Sequence, residues 1–358
     1  MKINRLLISN FRNISLSEIK PDPGFNIIYG ANGSGKTSVL EAISYLALGR
    51  SFRGFNYNYL IKRGFNAFEI FASILEHKDE PEVQLGVKRQ KGQDLEILIN
   101  ADKGKRLLDL ISHICVQIIH PQGVELVTAG PDLRRSYLDW GVFYQYSDFK
   151  KLYYDYRKAL IQRNRLLKIQ APKAQFLPWD KLLAELSFKI NSLREDYLQA
   201  LLPELNRVLK DFLPSLEFSF SLNLGYPKDL DPFSALHDFL DRDLTLGFTY
   251  SGCHRADLKI KTSGVLSSSI LSRGQLKLLV CAMRLSQGTL LRKNNNSSCI
   301  FLIDDLNSEL DVKSQEVLMN ELVECESQVF ITNIQDKISN TIPASSKLFK
   351  IDDGVIYS

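Results

Sequence analysis

The chain has 358 residues, 44% of them hydrophobic and 24% charged, and its formal net charge is +4. These are ordinary values for a globular protein, and the length suits two domains. No run of about 18 apolar residues occurs and the N-terminus lacks the pattern of a signal peptide, so we expect no membrane span. Five cysteines lie far apart without a CxxC pair, which disfavours a zinc site or disulfides and favours a reducing cytoplasm.

Two strand-like segments open the chain, at residues 3–9 and 25–29. The second runs straight into Gly30-Ala31-Asn32-Gly33-Ser34-Gly35-Lys36-Thr37, which matches the pattern G-x4-G-K-[ST]. Apolar residues at helical spacing then predict a helix over residues 37–48. A chance match in a turn is the alternative, and the flanking strand and helix disfavour it.

Glycines in this pattern let backbone N–H groups turn inward around phosphate oxygens, and the following helix adds its positive N-terminal end. We expect Lys36 to reach the β- and γ-phosphates of ATP and Thr37 to ligate Mg²⁺. The residues expected to bind the nucleotide are Gly30, Ala31, Asn32, Gly33, Ser34, Gly35, Lys36, Thr37 and Ser38.

The middle of the chain, residues 126–213, has a helical pattern. Apolar residues between 149 and 167 mark one amphipathic helix, and those from 179 to 197 step by four and three positions, which predicts an antiparallel helical hairpin. Pro203 is expected to interrupt the second helix. This region holds 15 Lys and Arg against 10 Asp and Glu, so a polyanion partner is favoured here.

The last part of the chain returns to strands, beginning with a period-two alternation at residues 218–224. An apolar strand at residues 299–303 ends in Asp304 and Asp305. Asp304 is expected to hold Mg²⁺, and Asp305 to orient or deprotonate the attacking water. A helix N-cap or a turn is the alternative role for these carboxylates. The expected layout is one α/β domain built from residues 1–125 and 214–358, with an inserted, mainly helical domain at residues 126–213.

A third segment, Leu271-Ser272-Arg273-Gly274-Gln275, resembles the signature loop LSGGQ of ABC-type ATPases, with Arg273 in place of a glycine. The run Asn307-Ser308-Glu309-Leu310-Asp311 resembles their D-loop. A phosphate loop, a signature and a strand ending in paired acids, in that order, are specific for this class. The resemblance implies the fold of an ABC-type ATPase head, which is a P-loop NTPase.

Further motifs resemble the RecF family of bacterial recombination mediators, whose heads are similar to those of SMC proteins. They are Asn10-Phe11-Arg12-Asn13, Ser51-Phe52-Arg53, Gly130-Pro131 with Arg134-Arg135, Gly252 with His254-Arg255-Ala256-Asp257, and residues 271–279. Cys253 departs from the family, which commonly has proline there.

The family resemblance implies a mechanism in which ATP drives head-to-head dimerisation on DNA, with RecR and RecO as partners. Ser272, Arg273, Gly274 and Gln275 of one copy would act on the ATP of the other, and hydrolysis would release the dimer. Lys36 and Asp305 are the expected catalytic residues. Asp305 stands where these ATPases more often have glutamate, so we expect slow hydrolysis.

Three assignments have an ordinary structural alternative. Arg12 would contact nucleotide phosphates, as the SMC resemblance implies, or would cap a turn. Gln122 would be a metal-binding Q-loop glutamine or a turn residue, and Thr332 stands where such ATPases often have a switch histidine. Lys150, Lys151, Arg157 and Lys158 would contact DNA or form a solvated helix face together with Arg163, Arg165 and Lys168.

The function indicated by these motifs is ATP-dependent binding of double-stranded DNA at single-strand junctions, in recombinational repair and replication, to help load a recombinase. One alternative is the ATPase subunit of an ABC transporter. Another is an SMC-type protein that bridges DNA, although that needs a longer coiled coil than the seam at residues 179–197.

Overall fold

The computed structural model describes residues 1–54, 56–77, 79–295, 298–305, 310–334, 343 and 346–357. Contacts divide the chain into a first unit, Met1–Gly123 with Arg273–Ser358, and a second unit, Val124–Ser272. The expected boundary at residue 214 differs from this division, because residues 214–272 pack within the second unit. The alternation at residues 218–224 indicates a strand but carries no information about which sheet the strand joins.

The elements follow one another with these bounds. The first unit begins with β1 (Lys2–Phe11), β2 (Ile14–Ile19), β3 (Phe25–Tyr29), α1 (Lys36–Leu48), β4 (Ala67–Leu75), β5 (Val83–Gln90), β6 (Glu96–Ile99), β7 (Asp102–Lys103), α2 (Leu107–His113) and β8 (Val116–Ile119). The second unit has α3 (Glu125–Thr128), α4 (Pro131–Gln145), α5 (Phe149–Lys168), α6 (Leu177–Phe212), β9 (Phe218–Asn223), α7 (Pro232–Asp238), α8 (Leu240–Leu246), β10 (Asp257–Thr262), β11 (Val265–Leu266) and α9 (Ser267–Ile270). The first unit then resumes with α10 (Arg273–Asn295), β12 (Ile300–Ile303), α11 (Val312–Glu324), β13 (Gln328–Asn333), β14 (Lys347–Asp352) and β15 (Val355–Tyr357).

Two six-stranded sheets form the first unit. One is antiparallel, in the order β2-β1-β4-β5-β6-β7; the other has the order β15-β14-β3-β13-β12-β8 and is parallel except for β15. Helix α1 contributes to one core with residues from both sheets. The strands at residues 25–29 and 299–303 and the helix after residue 36 are confirmed. Their short apolar runs are typical of parallel strands that are covered on both faces.

The register of the parallel strands brings their carboxyl ends to one edge of the sheet. Ile303 of β12 lies opposite Ile331 of β13, and Ile331 lies opposite Ile27 of β3. The residues that follow β3 and β12 and the last residues of β13 therefore meet at this edge. Open α/β sheets bind their ligands at the same place.

The second unit is built around α5 and α6, which pack against each other as the expected helical hairpin. The prediction that Pro203 interrupts the second helix is wrong, since α6 is 36 residues long and continues through this proline. Leu201, Leu205 and Val208 are buried on either side of Pro203, and this packing offsets the cost of the missing N–H. A three-stranded sheet, β11-β10-β9, belongs to the same unit.

In the part of the chain that the structure describes, no helix is long and apolar enough to cross a membrane. All five cysteines are buried as free thiols.

Candidate functional site

The phosphate loop, residues 30–37, joins the end of β3 to the start of α1. Two of its glycines lie so close to neighbouring atoms that a side chain would clash there. A Cβ on Gly30 would lie 2.2 Å from the Ile351 carbonyl oxygen of β14, and a Cβ on Gly35 would lie 2.8 Å from the Asn13 amide. Gly35 also has a φ of 115°, which L side chains rarely adopt. The glycine spacing seen in the sequence therefore follows from backbone packing as well as from phosphate binding.

Asn13 braces this loop, a role that the sequence did not reveal. Its Nδ2 donates to the Ser34 carbonyl at 2.8 Å, and its Oδ1 accepts from Ser38 Oγ at 3.1 Å. The backbone N–H of Gly354, in the turn between β14 and β15, donates to the same Ser34 carbonyl at 2.9 Å. The loop is thus held from two sides before any ligand is bound.

Two polar side chains of the loop are placed for an anion. Lys36 Nζ donates to the carbonyl oxygens of Gly30 and Ala31, each at 2.8 Å, so its ammonium lies across the loop. Burial lowers the pKa of Lys36, while Asp305 and Asp304 oppose this shift. Ser34 Oγ is buried and has no hydrogen-bond partner among the described residues. A buried hydroxyl without a partner is costly, and an added phosphate oxygen would relieve it.

Asp304, which follows β12, connects this strand to the phosphate loop. Thr37 Oγ1 and Thr332 Oγ1 both donate to Asp304 Oδ1, each at 2.8 Å. The Asp304 residue is only 9% exposed. The sequence prediction that Thr37 and Asp304 share a site therefore agrees with the geometry, in which they lie next to each other across the sheet edge.

Asp305 has a left-handed backbone, with a φ of 55°. Its N–H donates to Thr332 Oγ1 at 2.8 Å. Thr332, the last residue but one of β13, thus fixes both aspartates by donating to one and accepting from the other. Left-handed non-glycine residues are uncommon and concentrate at functional sites. The sequence offered one signal for Thr332, its place at the end of an apolar strand.

Arg12 and Gln122 have different surroundings. The Arg12 guanidinium donates to both oxygens of the buried Glu41 carboxylate on α1, at 2.8 and 2.7 Å, and to the Tyr59 carbonyl. A phosphate contact by Arg12 would have to compete with this pairing. Gln122 is exposed in the turn after β8, the strand next to β12.

The signature residues Ser272, Arg273 and Gly274 are exposed where α10 begins, and Gln275 is half-buried. Asn307, Ser308 and Glu309 of the expected D-loop lie outside the described residues. Asp311 caps α11 by accepting from the Ser314 N–H at 2.8 Å.

The basic run on α5 divides into two groups. Lys151, Arg157 and Lys158 are exposed and Lys150 is half-buried. Arg163 is fully buried and forms ion pairs with Asp180 and Asp243, each at 2.6 Å. The prediction of a solvent-facing Arg163 is therefore wrong, because two carboxylates distant in sequence neutralise it inside the second unit.

Comparisons with known proteins find similarity over nearly the whole chain. The model of the RecF/RecN/SMC N-terminal domain matches residues 2–357. The DNA replication and repair protein RecF of Haemophilus influenzae is 39% identical over 357 residues, 99% of each chain. RecF of Shewanella piezotolerans is 37% identical over 356 residues, 99% of this chain and 98% of that protein.

Solved structures extend the similarity to the fold. The recombination mediator protein RecF with ATP, of the RecFOR pathway, superposes with a TM-score of 0.87 at 27% identity, covering 99% of this chain and 97% of that one. An SMC head bound to the C-terminal winged-helix domain of ScpA gives a TM-score of 0.61 at 15% identity, with 99% and 96% of the chains covered. The fold is that of an ABC-type ATPase head, as predicted, and the whole-length match shows that the chain belongs to the RecF family of DNA replication and repair proteins.

Proposed function

We propose that the protein is an ATP-dependent DNA-binding ATPase of recombinational DNA repair and replication. The observation that carries this proposal is the hydrogen bond of 2.8 Å between Thr37 and Asp304. It joins the end of the phosphate loop to the strand-end carboxylate, as ATP hydrolysis by a P-loop enzyme requires. Similarity to RecF proteins over their whole length favours this function over a transporter subunit or a DNA-bridging SMC protein.

The phosphate groups of ATP would be held by residues 30–38. The N–H groups of the loop and of the start of α1 supply donors, and Ser34 Oγ supplies a buried hydroxyl without a partner in the described residues. Lys36 would exchange its two carbonyl contacts for phosphate oxygens. The contacts from Asn13 and Gly354 keep the loop in shape during this exchange.

The Mg²⁺ that accompanies ATP fits the same edge of the sheet. Thr37 Oγ1 and Asp304 would hold it, with Gln122 as a further oxygen ligand from the neighbouring turn. Among the described residues no group of three or more His, Cys, Asp or Glu side chains forms a metal cage, which suits a magnesium ion bound largely by phosphate and water. When bound, the ion neutralises charge on the β- and γ-phosphates.

Asp305 would accept the proton of the attacking water. The hydrogen bond from the Asp305 N–H to Thr332 Oγ1 fixes the left-handed backbone of Asp305. The Asp305 side chain is one methylene shorter than the glutamate more common at this position. A shorter reach to the water gives a weaker general base. We therefore expect slow hydrolysis, which suits a switch better than a motor.

A second copy of the chain would complete the site. Ser272, Arg273, Gly274 and Gln275 lie at the start of a 23-residue helix, where N–H groups and the helix dipole favour an anion. From a second copy they would cap the γ-phosphate, so that ATP stabilises the dimer and hydrolysis releases it. DNA, contacted in part by Lys150, Lys151, Arg157 and Lys158, and the proteins RecR and RecO would be the further partners.

Sedimentation with and without ATP and DNA tests this function. The wild type should dimerise with ATP, and Lys36→Ala should lose both ATP binding and dimerisation because the phosphates lose their point charge. Ser272→Arg should still bind ATP as a monomer, since Ser272 serves the opposite copy, but should not dimerise. Lys88→Ala, which removes a half-buried lysine paired with Glu69, is the matched control. Normal ATP-dependent dimerisation of Ser272→Arg would remove the signature assignment.

A further inference from the structure

The second unit contains a cavity of about 660 Å³ whose lining comes from four separate segments. We call it the arginine groove. Its lining is formed by Pro131, Asp132, Arg135, Asn223, Gly225, Tyr226, Pro227, Phe239, Arg242, Tyr250, Ser251 and Arg255. Two of these segments belong to family motifs that ATP chemistry leaves unused, the one at residues 130–135 and the one at residues 252–257. These two motif segments therefore lie next to each other in the fold, at one cavity.

The charge of the groove is positive and only partly compensated. Arg135 pairs with Asp132 and donates to the Ala256 carbonyl at 2.6 Å. Among the described residues, Arg242 and Arg255 form no ion pair with a carboxylate, and both guanidinium groups lie over the Tyr250 ring. Two guanidinium groups held side by side without a counter-charge favour an anion.

Aromatic rings lie beside these guanidinium groups. Arg242 Cζ lies 3.5 Å from the centroid of the Tyr250 ring, and Arg255 Cζ lies 5.0 Å from it. A hydrogen bond with Arg242 is the main cause that lowers the pKa of Tyr250, with a further contribution from Arg255. Tyr226 and Phe239 also line the cavity. Planar rings next to guanidinium groups are the usual surface for an unpaired nucleobase and its phosphate.

Buried contacts hold the groove in shape. The Tyr250 N–H donates to Asp243 Oδ1 at 2.9 Å, and the other oxygen of Asp243 accepts from the buried Arg163 at 2.6 Å. A Cβ on Gly225 would lie 2.2 Å from the Gly252 carbonyl oxygen, so two lining segments are in direct backbone contact. A groove that is fixed before binding loses little entropy when a ligand enters.

We propose that the arginine groove binds single-stranded DNA, with backbone phosphates on Arg242 and Arg255 and an unpaired base against Tyr226, Phe239 or Tyr250. A duplex keeps its base faces stacked inside the helix and cannot present them to these rings. This inference rests on the proposed DNA-binding function and gives it a second-unit site for the unpaired strand of a junction.

A neighbouring cavity of about 330 Å³ gives the strand a continuation. It shares Asp132 and Arg135 with the arginine groove and is also lined by Arg157 of α5. Arg157 belongs to the exposed basic residues that the sequence already associated with DNA. A strand leaving the groove at Arg135 would therefore meet a further cation.

The test compares a fluorescent oligothymidine with a blunt duplex of equal length, by anisotropy over a series of salt concentrations with ATP present. The variant Arg242→Ala/Arg255→Ala should bind oligothymidine about tenfold or more weakly, with a shallower salt dependence, and should bind the duplex like the wild type. Lys181→Ala/Lys210→Ala removes two exposed charges of the same unit outside the groove and should bind both probes normally. Arg242→Lys/Arg255→Lys should restore part of the affinity for oligothymidine.

Tyr250→Ser keeps both arginines and should weaken oligothymidine binding most at high salt, where stacking outweighs charge. Unchanged oligothymidine binding by the double alanine variant would overturn the groove assignment, while ATP-driven dimerisation would leave the proposed function standing. Equal losses for duplex and single strand would overturn the single-strand preference. A wild type that dimerises with ATP but binds no oligothymidine would overturn this inference alone.

Discussion

The candidate anion sites of the two units are built in different ways. The phosphate loop of the first unit uses backbone N–H groups and short side chains from eight consecutive residues, shaped by glycines and braced by Asn13. The arginine groove of the second unit uses long side chains from four segments, supported by a buried ion pair between Arg163 and Asp243. A site built from consecutive residues can be identified from its sequence, whereas a site assembled from distant segments becomes visible only in the fold.

The difference also concerns what each region loses when one side chain is changed. In the first unit, Thr332 and Thr37 share the Asp304 carboxylate through neutral hydroxyl groups, so a single deletion alters chemistry more than folding. Around Arg163 in the second unit, three full charges are buried together, and deleting one leaves the others without compensation. The substitutions below separate a loss of catalysis in the first unit from a loss of folding stability in the second.

The largest effect is expected from the paired aspartates of the first unit. Asp305→Asn keeps the side-chain shape but removes the general base, so ATP turnover should fall about 10²–10⁴-fold while ATP binding and the dimer persist. Asp304→Asn should damage ATP binding and turnover together, because it removes an oxygen that the ground state already uses. ATP turnover and the nucleotide-dependent lifetime of the dimer, measured for both variants, distinguish the role of Asp304 from that of Asp305. Loss of binding in Asp305→Asn alone would show that the roles are reversed.

Arg163→Met should lower the free energy of unfolding of the second unit by about 3–5 kcal/mol, because Asp180 and Asp243 remain buried without their cation. Urea unfolding and hydrogen exchange over residues 240–255 measure this loss. The triple variant Arg163→Met/Asp180→Asn/Asp243→Asn should recover much of it, since it buries no charge. A loss below about 1 kcal/mol, the size expected for an exposed ion pair, would contradict the dependence of the second unit on the buried charge of Arg163.

Acid should weaken the second unit through His254. Burial is the main cause that lowers the pKa of His254 from 6.5 to about 4. The unfolded chain therefore takes up a proton below about pH 6.5, while the folded chain does so only near pH 4, so stability is complete above this window and falls as the pH drops through it. The loss should reach about 3 kcal/mol by pH 4, measured by urea unfolding.

His254→Gln should flatten this pH dependence in the second unit. His120 is the matched control in the first unit, since burial, with Arg284 and Arg53 nearby, lowers its pKa to about 4 as well. His120→Gln should leave the acid response of residues 240–255 unchanged in hydrogen exchange. Equal effects of both variants on that segment would remove the assignment to His254.

The smallest effect is expected from Thr332→Val, which keeps the side-chain volume but removes one hydroxyl. Turnover should fall about tenfold and stability by about 1–2 kcal/mol, because the Asp305 N–H loses its buried acceptor. Thr289→Val is the control, since it removes a hydroxyl that contacts Cys325 at 3.0 Å elsewhere in the first unit. Turnover equal to the wild type would show that Thr332 does not orient the aspartates.

Prediction from the sequence succeeded where the signal is local. The phosphate loop, the strand before it and the helix after it follow from patterns within 24 consecutive residues, 25–48. The proximity of Thr37 and Asp304 followed from the motif order, because strand-end acids and phosphate loops meet at the same edge of a parallel sheet.

Prediction failed where the deciding neighbour is distant in sequence. Arg163 lies in a basic run that indicates a solvated face, and only the fold brings Asp180 and Asp243 to it. The role of Thr332 depends on the register between β12 and β13, which no periodicity reveals. The path of α6 through Pro203 depends on packing, which outweighs local propensity.

The position of β3 in its sheet has a consequence for synthesis of the chain on the ribosome. This early strand pairs with β13 and β14, so its two neighbours are encoded about 300 residues later. At typical elongation rates, β3 waits roughly 15–60 s for its partners. During that time the nascent chain carries an apolar strand with both edges open, a species that chaperones bind. Synonymous codon changes that slow the ribosome before residue 328 should therefore lower the yield of folded protein.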